Sequence, residues 1–333
     1  MIINPTNTHL TNLRIQRWIV AIAVFLFLLK AAAYLLTRSV SILTDTLEST
    51  VNVIAGLIGL YSLYISAKPR DEGHPYGHGK VEYISAAVEG TLITIAGAFV
   101  MYSAIESMVH PLPLKKLDSG IILLAFTGII NFVMGYIAEE YGKKNSSLIL
   151  VAGGKHLKTD TYSTIGVVAG LVAIYVTGIT RIDSAVAILL GCMIVYTGYG
   201  IVRSSIAGIM DEADKELLVK MIALLNKYRR QNWIDLHNLR IIKYGSILHI
   251  DCHLTVPWYL NVNDAHAEIE ALNKFITKEM GATLELFVHS DGCLYSQCPI
   301  CSKTDCPVRQ HAFRDKIEWT LQNIITDKKH QPV

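Results

Sequence analysis

The chain has 333 residues, of which 51% are hydrophobic and only 17% charged. That balance excludes an ordinary water-soluble protein, in which about a quarter of the residues are charged. A net charge of +2 with no basic run gives no reason to expect a nucleic-acid partner, and six cysteines, four of them crowded near the C-terminus, are not the even spread of a secreted disulfide scaffold.

The polar start MIINPTNTHLTNLRIQR runs into an apolar stretch too long for a cleavable signal. A membrane helix needs about 20 mostly apolar residues. Six stretches qualify: Trp18–Leu36, Ser41–Ser66, Ile84–Met108, Gly120–Ile137, Ser147–Gly178 and Ser184–Ile206. An even number puts both termini on one side. Arg14, Arg17, Lys68, Arg70, Lys80, Lys143, Lys144, Lys155 and Arg203 outnumber Arg38, Lys115, Lys116 and Arg181 on the opposite side. The positive-inside rule then places both termini in the cytoplasm.

After Met210 the composition changes. DEADKELLVKMIALLNKYRRQ reads as an amphipathic helix, LHNLRIIKYG as a strand, and SILHIDCHLTV as a strand of strict period two. In the last, Leu248, Ile250, Cys252, Leu254 and Val256 share one face, and His249, Asp251, His253 and Thr255 the other. DAHAEIEALNKFITKEM predicts a second helix and TLELFVHSD a third strand. The expected organisation is a membrane α-helical domain over residues 1–210, a soluble α+β domain over 211–293 and a cysteine-containing tail over 294–333. Within the tail, AFRDKIEWTLQNII is helix-like.

Ionisable groups inside membrane helices cost about 2.5–3.5 kcal/mol each on insertion scales, which makes them functional candidates. The second span carries Glu48 and Asn52, four apart on one helix face, with Asp45 a turn earlier; the fifth carries His156 and Asp160, again four apart. Two such pairs can surround one ion. Imidazole nitrogen and carboxylate oxygen suit Zn²⁺, and also Mn²⁺ or Fe²⁺. In the loop after the second span, KPRDEGHPYGHGKVE, the side chains of Asp71, His74 and His78 can form a second cluster, or simply a solvated turn. CLYSQCPICSKTDC spaces Cys293, Cys298, Cys301 and Cys306 as C-x4-C-x2-C-x4-C. In a reducing compartment that reads as a structural Zn²⁺ site rather than as disulfides. No HExxH and no nucleophile–base pair is present, so the chain is not read as an enzyme.

The motifs SILTDTLESTVNVIAGL, HPYGHGKVEYISAAVEG, HLKTDTYSTIGVVAGL and the LHNLR, HIDCHL and FVHSDGC series resemble those of the cation diffusion facilitators, over about Leu13 to Cys293. The resemblance implies six transmembrane helices, a cytosolic ferredoxin-like domain, a homodimer, and proton-coupled export of a divalent metal, with protons as counter-ion. It implies an integral protein of a bacterial inner membrane. It carries the transport site onto Glu48, Asn52, His156 and Asp160, and a loop site onto Asp71, His74 and His78. A regulatory cytosolic site falls on His237, His253, His289 and Asp291, with His266. Many members have a carboxylate where this chain has Asn52. That leaves Asp45 as an alternative ligand and Zn²⁺ as the first of several candidate metals. The competing reading is a membrane-anchored metal sensor without flux; polar ligands inside the spans weigh against it, because an anchor has no use for them.

Overall fold

The computed structural model describes residues 5–37, 40–109, 117–145, 147–177, 181–244, 247–280 and 283–332. The chain divides into two compact units, Asn4–Met210 and Asp211–Val333.

Among the described residues the first unit contains six long helices: α1 (Pro5–Thr37), α2 (Val40–Ser66), α3 (Val81–Val109), α4 (Leu117–Lys144), α5 (Leu148–Thr177) and α6 (Arg181–Ile209). They run from 27 to 33 residues. At 1.5 Å per residue each is about 40–50 Å long, enough to cross a hydrocarbon core of about 30 Å. Among the described residues, α1, α2, α3 and α6 carry a stretch apolar enough to span a membrane. The distribution of side chains is the reverse of a soluble bundle. Phe25, Leu28, Ile95, Phe99 and Ile129 are exposed, whereas Gln16, Lys30, Glu82, Glu89, Glu139, His156 and Asp160 are buried. In lipid the apolar outside costs nothing, and each buried polar group needs an internal partner. Lys30 Nζ donates to Ser49 Oγ at 2.9 Å. Glu82 accepts from Ser66 Oγ at 2.8 Å and from Ser147 Oγ at 2.7 Å, joining α2 and α3 to the residue that precedes α5.

Small residues let the helices approach closely, since lipid offers no hydrophobic drive for association. Gly90 and Gly198 face each other between α3 and α6. A Cβ on Gly90 would lie 3.0 Å from the Gly198 carbonyl oxygen, and one on Gly198 would lie 2.8 Å from that of Gly90. Gly135 and Gly154 stand in the same relation between α4 and α5, at 2.9 and 2.7 Å.

The second unit is α7 (Lys215–Tyr228), β1 (Asp235–Tyr244), β2 (Ile247–Val256), α8 (Val262–Met280), β3 (Thr283–Gly292), a 3-10 turn (Tyr295–Ile300) and the short α9 (Leu321–Ile324). Asp214 caps α7 by accepting from Leu217 N, with Glu216 in its first turn and Lys227 in its last, each favoured by the helix dipole. The sheet order is β1-β2-β3, with β1 antiparallel and β3 parallel to β2. The apolar face of β2 is buried as its alternation predicts, and it packs on Leu218, Met221, Ile222 and Leu225 of α7 and Leu272 and Ile276 of α8.

The tail departs from its helix-like sequence. Within that stretch only Leu321–Ile324 is helical; residues 312–320 take no regular secondary structure. Their backbone groups are taken by side chains of the domain instead of by a helix. Asn226 donates to Trp319 O and accepts from Trp319 N, and Arg229 donates to Ile317 O. Trp319 and Ile324 are buried in the core, where a free helix would have left them exposed.

Candidate metal sites

His156 and Asp160 lie one turn apart on α5 and are both buried. Their Nδ1 and Oδ1 are 3.3 Å apart. From α2, Asn52 completes a three-way contact: its Nδ2 donates to Asp160 Oδ2 at 2.8 Å, and its Oδ1 lies 2.6 Å from His156 Nε2. Ligands about 2.0–2.1 Å from a tetrahedral ion sit roughly 3.3–3.4 Å from one another; here His156 faces Asp160 with one ring nitrogen and Asn52 with the other, so admitting one ion requires these side chains to reorient. Asp45 and Glu48 belong to α2, but their side chains lie outside the described residues. Sequence spacing does not single out Glu89 of α3, which is also buried. It is near enough to Asp160 for their charges to interact, and its Oε1 lies 3.4 Å from the position of a Cβ on Gly153 of α5. Its signal was a single carboxylate inside the apolar run ISAAVEGTLITIAG.

The loop between α2 and α3 brings Asp71, His74 and His78 together with their ligand atoms within 4.8 Å of one another. His74 Nδ1 is 3.0 Å and His78 Nε2 3.4 Å from the Asp71 carboxylate. Gly77, at φ +89°, makes the turn that returns His78 to Asp71. The hydrogen bond from the His74 side chain holds the Asp71 carboxyl below the usual carboxylate range, and this exposed cluster is open to solvent.

In the second unit the histidines line up across the sheet. His237 pairs with His253, and His253 with His289, on three adjacent strands. A bulge on β1 between His237 and Arg240 makes the alignment possible: it lets Leu236 and Leu239 both reach the core while His237 takes the opposite face. Asn238, within the bulge, adopts φ 52°. Asp291, two residues beyond His289 on the same face of β3, has a buried Oδ2 without a hydrogen-bond partner. That oxygen faces His237 Nε2 at 3.6 Å and His253 Nδ1 at 3.5 Å, and these three residues form the second set of donors within 4.8 Å. His289 stacks on His253 with ring centroids 4.7 Å apart. His266 is not brought to them: α8 covers the apolar face of the sheet, and the histidines occupy the other.

Residues 17–210 match the cation efflux transmembrane domain and residues 213–293 the cytoplasmic domain of cation efflux proteins. The chain belongs to the cation efflux family, the cation diffusion facilitators. An uncharacterised transporter of Synechocystis is 32% identical over 76% of this chain and 81% of its own length. The manganese efflux system protein MneS of Bacillus subtilis is 28% identical over 74% and 85%. The magnetosome protein MamB of Paramagnetospirillum magneticum is 27% identical over 81% and 92%. The expected fold class stands: transmembrane helices followed by a cytoplasmic domain with a small mixed sheet. The protein is an integral membrane transporter for divalent metal cations, and nothing in the family points to catalysis.

Proposed function

We propose that the protein exports Zn²⁺ from the cytoplasm across a bacterial inner membrane, as a homodimer, in exchange for protons. The observation that carries this reading is the contact of Asn52, His156 and Asp160 between α2 and α5, where membrane helices place buried ligands that an anchor does not need. Glu48 completes the set. With Asp160 and Glu48 ionised and His156 neutral, the ligands carry a charge of about −2, matched to a divalent cation. Metal requires His156 unprotonated, so a proton arriving from the far side can displace the ion and return with the transporter. Rocking of helices about this fixed site supplies alternating access.

His156 favours Zn²⁺, whereas a purely oxygen site would favour Mn²⁺. The cytosolic site of His237, His253, His289 and Asp291 reports cytosolic metal: an ion that binds only when these ligands converge shifts the domain toward its closed form. Purified protein in proteoliposomes with an imposed pH gradient tests the whole reading. The expected result is gradient-driven Zn²⁺ flux, outcompeting Mn²⁺ and Fe²⁺. Binding without flux would establish the sensor instead, and flux indifferent to the pH gradient would remove the proton from the scheme.

A further inference from the structure

The tail beyond residue 293 lies outside both matched domains, yet it is built into the cytoplasmic unit. Cys293, Cys298, Cys301 and Cys306 all line one small cavity. All four are free thiols. The cavity measures about 20 Å³, room for one ion or one water and far too little for an iron–sulfur cluster. Cys293 is fixed at the end of β3 by its N–H, which donates to Val256 O at 2.9 Å. Cys298 and Cys301 bracket Pro299 and Ile300 at the end of the 3-10 turn, where Cys301 N donates to Cys298 O at 3.2 Å.

The loop is held in this shape by one guanidinium. Arg309 donates to Cys298 O and Cys301 O, both at 2.9 Å, and to Lys303 O at 2.5 Å. Arg309 and Lys303 also line the cavity. A divalent ion with four thiolates carries a formal charge of −2; Arg309 and Lys303, the latter also paired with Asp305 at 2.9 Å, supply positive charge at the cavity. The sulfurs are not among the sets of donors within 4.8 Å of one another, so binding also draws the side chains inward.

We propose that Cys293, Cys298, Cys301 and Cys306 bind one structural Zn²⁺ as a tetrathiolate, separate from the transported metal. Its consequence runs through Gln297, which sits inside the loop and is fully buried. Gln297 Nε2 donates to His330 O at 3.1 Å, and the adjacent Lys329 reaches Asp291 at 3.3 Å. The ion therefore fixes the chain end that lies on the histidine cluster.

Full-length protein in detergent, reduced and stripped of metal, is titrated with Co²⁺ and then Zn²⁺. The expected result is an intense thiolate-to-cobalt charge-transfer band with tetrahedral d–d bands, saturating at one ion per chain and bleached by Zn²⁺. The transport and histidine sites contain no sulfur and give no such band. Cys252 is buried in the apolar core, on the face of β2 away from the histidines. Cys298→Ser with Cys301→Ser should abolish the band, and His253→Ala with Asp291→Ala should leave it intact. Absence of the band in the unaltered protein, or its survival in the double serine variant, overturns the proposal. Because the first of these needs no variant, misfolding of the serine protein cannot shelter it. Zn²⁺ flux is measured in parallel, so failure here is distinguishable from failure of the transport reading.

Discussion

Asn52 holds Asp160 and His156 at once: its amide nitrogen is 2.8 Å from Asp160 Oδ2 and its amide oxygen 2.6 Å from His156 Nε2. The amide is thus a bifunctional clasp across α2 and α5. It donates to the carboxylate that a metal would otherwise neutralise, and offers its oxygen to the imidazole. A carboxylate in its place would only accept, and would repel Asp160.

Asn52→Asp should therefore change both affinity and preference. The added charge raises the attraction for any divalent ion and shifts the donor set toward oxygen, so Mn²⁺ and Fe²⁺ should gain on Zn²⁺. Competition flux assays read the ratio directly. If the ratio is unmoved and Asp45→Asn is the damaging change, Asp45 is the α2 ligand.

Asp160→Ala should abolish flux while leaving folding and dimerisation intact. It removes the one described carboxylate that touches both His156 and Asn52. Size-exclusion chromatography and proteoliposome flux on the same preparation check the two halves. Retained flux removes Asp160 from the transport site.

Close helix contact makes a third expectation. A Cβ on Gly154 would stand 2.5 Å from Glu139 N and 2.7 Å from Gly135 O, both backbone atoms that cannot swing aside. Gly154→Ala should therefore destabilise the membrane unit by about 1–3 kcal/mol, the usual cost of overpacking. Gly200, with nothing within 4 Å, is the control: Gly200→Ala should be neutral or slightly stabilising, since alanine favours helix. Thermal unfolding in detergent compares them, and equal behaviour of the two would mean that α4 and α5 are less tightly packed.

What the sequence made legible follows from period and spacing. Alternation in SILHIDCHLTV told which face of β2 is buried, and the i, i+4 pair in HLKTD told that His156 and Asp160 share a face. Alternation could not foresee that a bulge at Asn238 would turn His237 into line with His253, because a bulge breaks the very period being read. Glu82, just ahead of the third apolar span, and Glu89, a single carboxylate inside it, carry no spacing signal, because their meaning lies in partners on other segments. The tail differs from its sequence pattern for the opposite reason. Its local pattern favours a helix, and Asn226 and Arg229, some ninety residues away, claim its backbone instead.

Asp235 offers a pH test of the cytoplasmic unit. Burial alone would raise its carboxyl, but hydrogen bonds from His237 and His330 outweigh it and hold the group far below the usual carboxylate range. A depressed folded-state value contributes stability in full above the unfolded value of about 3.9, lost as pH falls through the folded one. Asp235→Asn should cost about 1.5–3 kcal/mol at pH 7, the range for hydrogen bonds to a charged group. That gap should stay constant down to about pH 4 and narrow only below it. Denaturant unfolding followed by tryptophan fluorescence measures it; a gap that closes between pH 7 and 5 would assign the effect to the histidines.

The last expectation concerns competition for Asp291. Lys329 Nζ lies 3.3 Å from Asp291 Oδ1, while Oδ2 of the same carboxylate faces His237 and His253. An ammonium and a divalent ion cannot share one carboxylate without repulsion, so metal entering the histidine cluster must displace or weaken the lysine contact. The pair is partly exposed, and such pairs contribute roughly 0.2–1 kcal/mol. Lys329→Ala should therefore tighten metal binding at this cluster by a few-fold, on the order of two to five times. The same logic fixes the salt dependence: part of the competing ion pair is screened at high ionic strength, so the advantage of Lys329→Ala should shrink there. Calorimetric Zn²⁺ titrations of both proteins at low and high salt read the two effects together. Equal affinities at low salt would show that Lys329 leaves Asp291 before the metal arrives; weaker binding by Lys329→Ala would show that the lysine orders the carboxylate for the ion instead of competing with it.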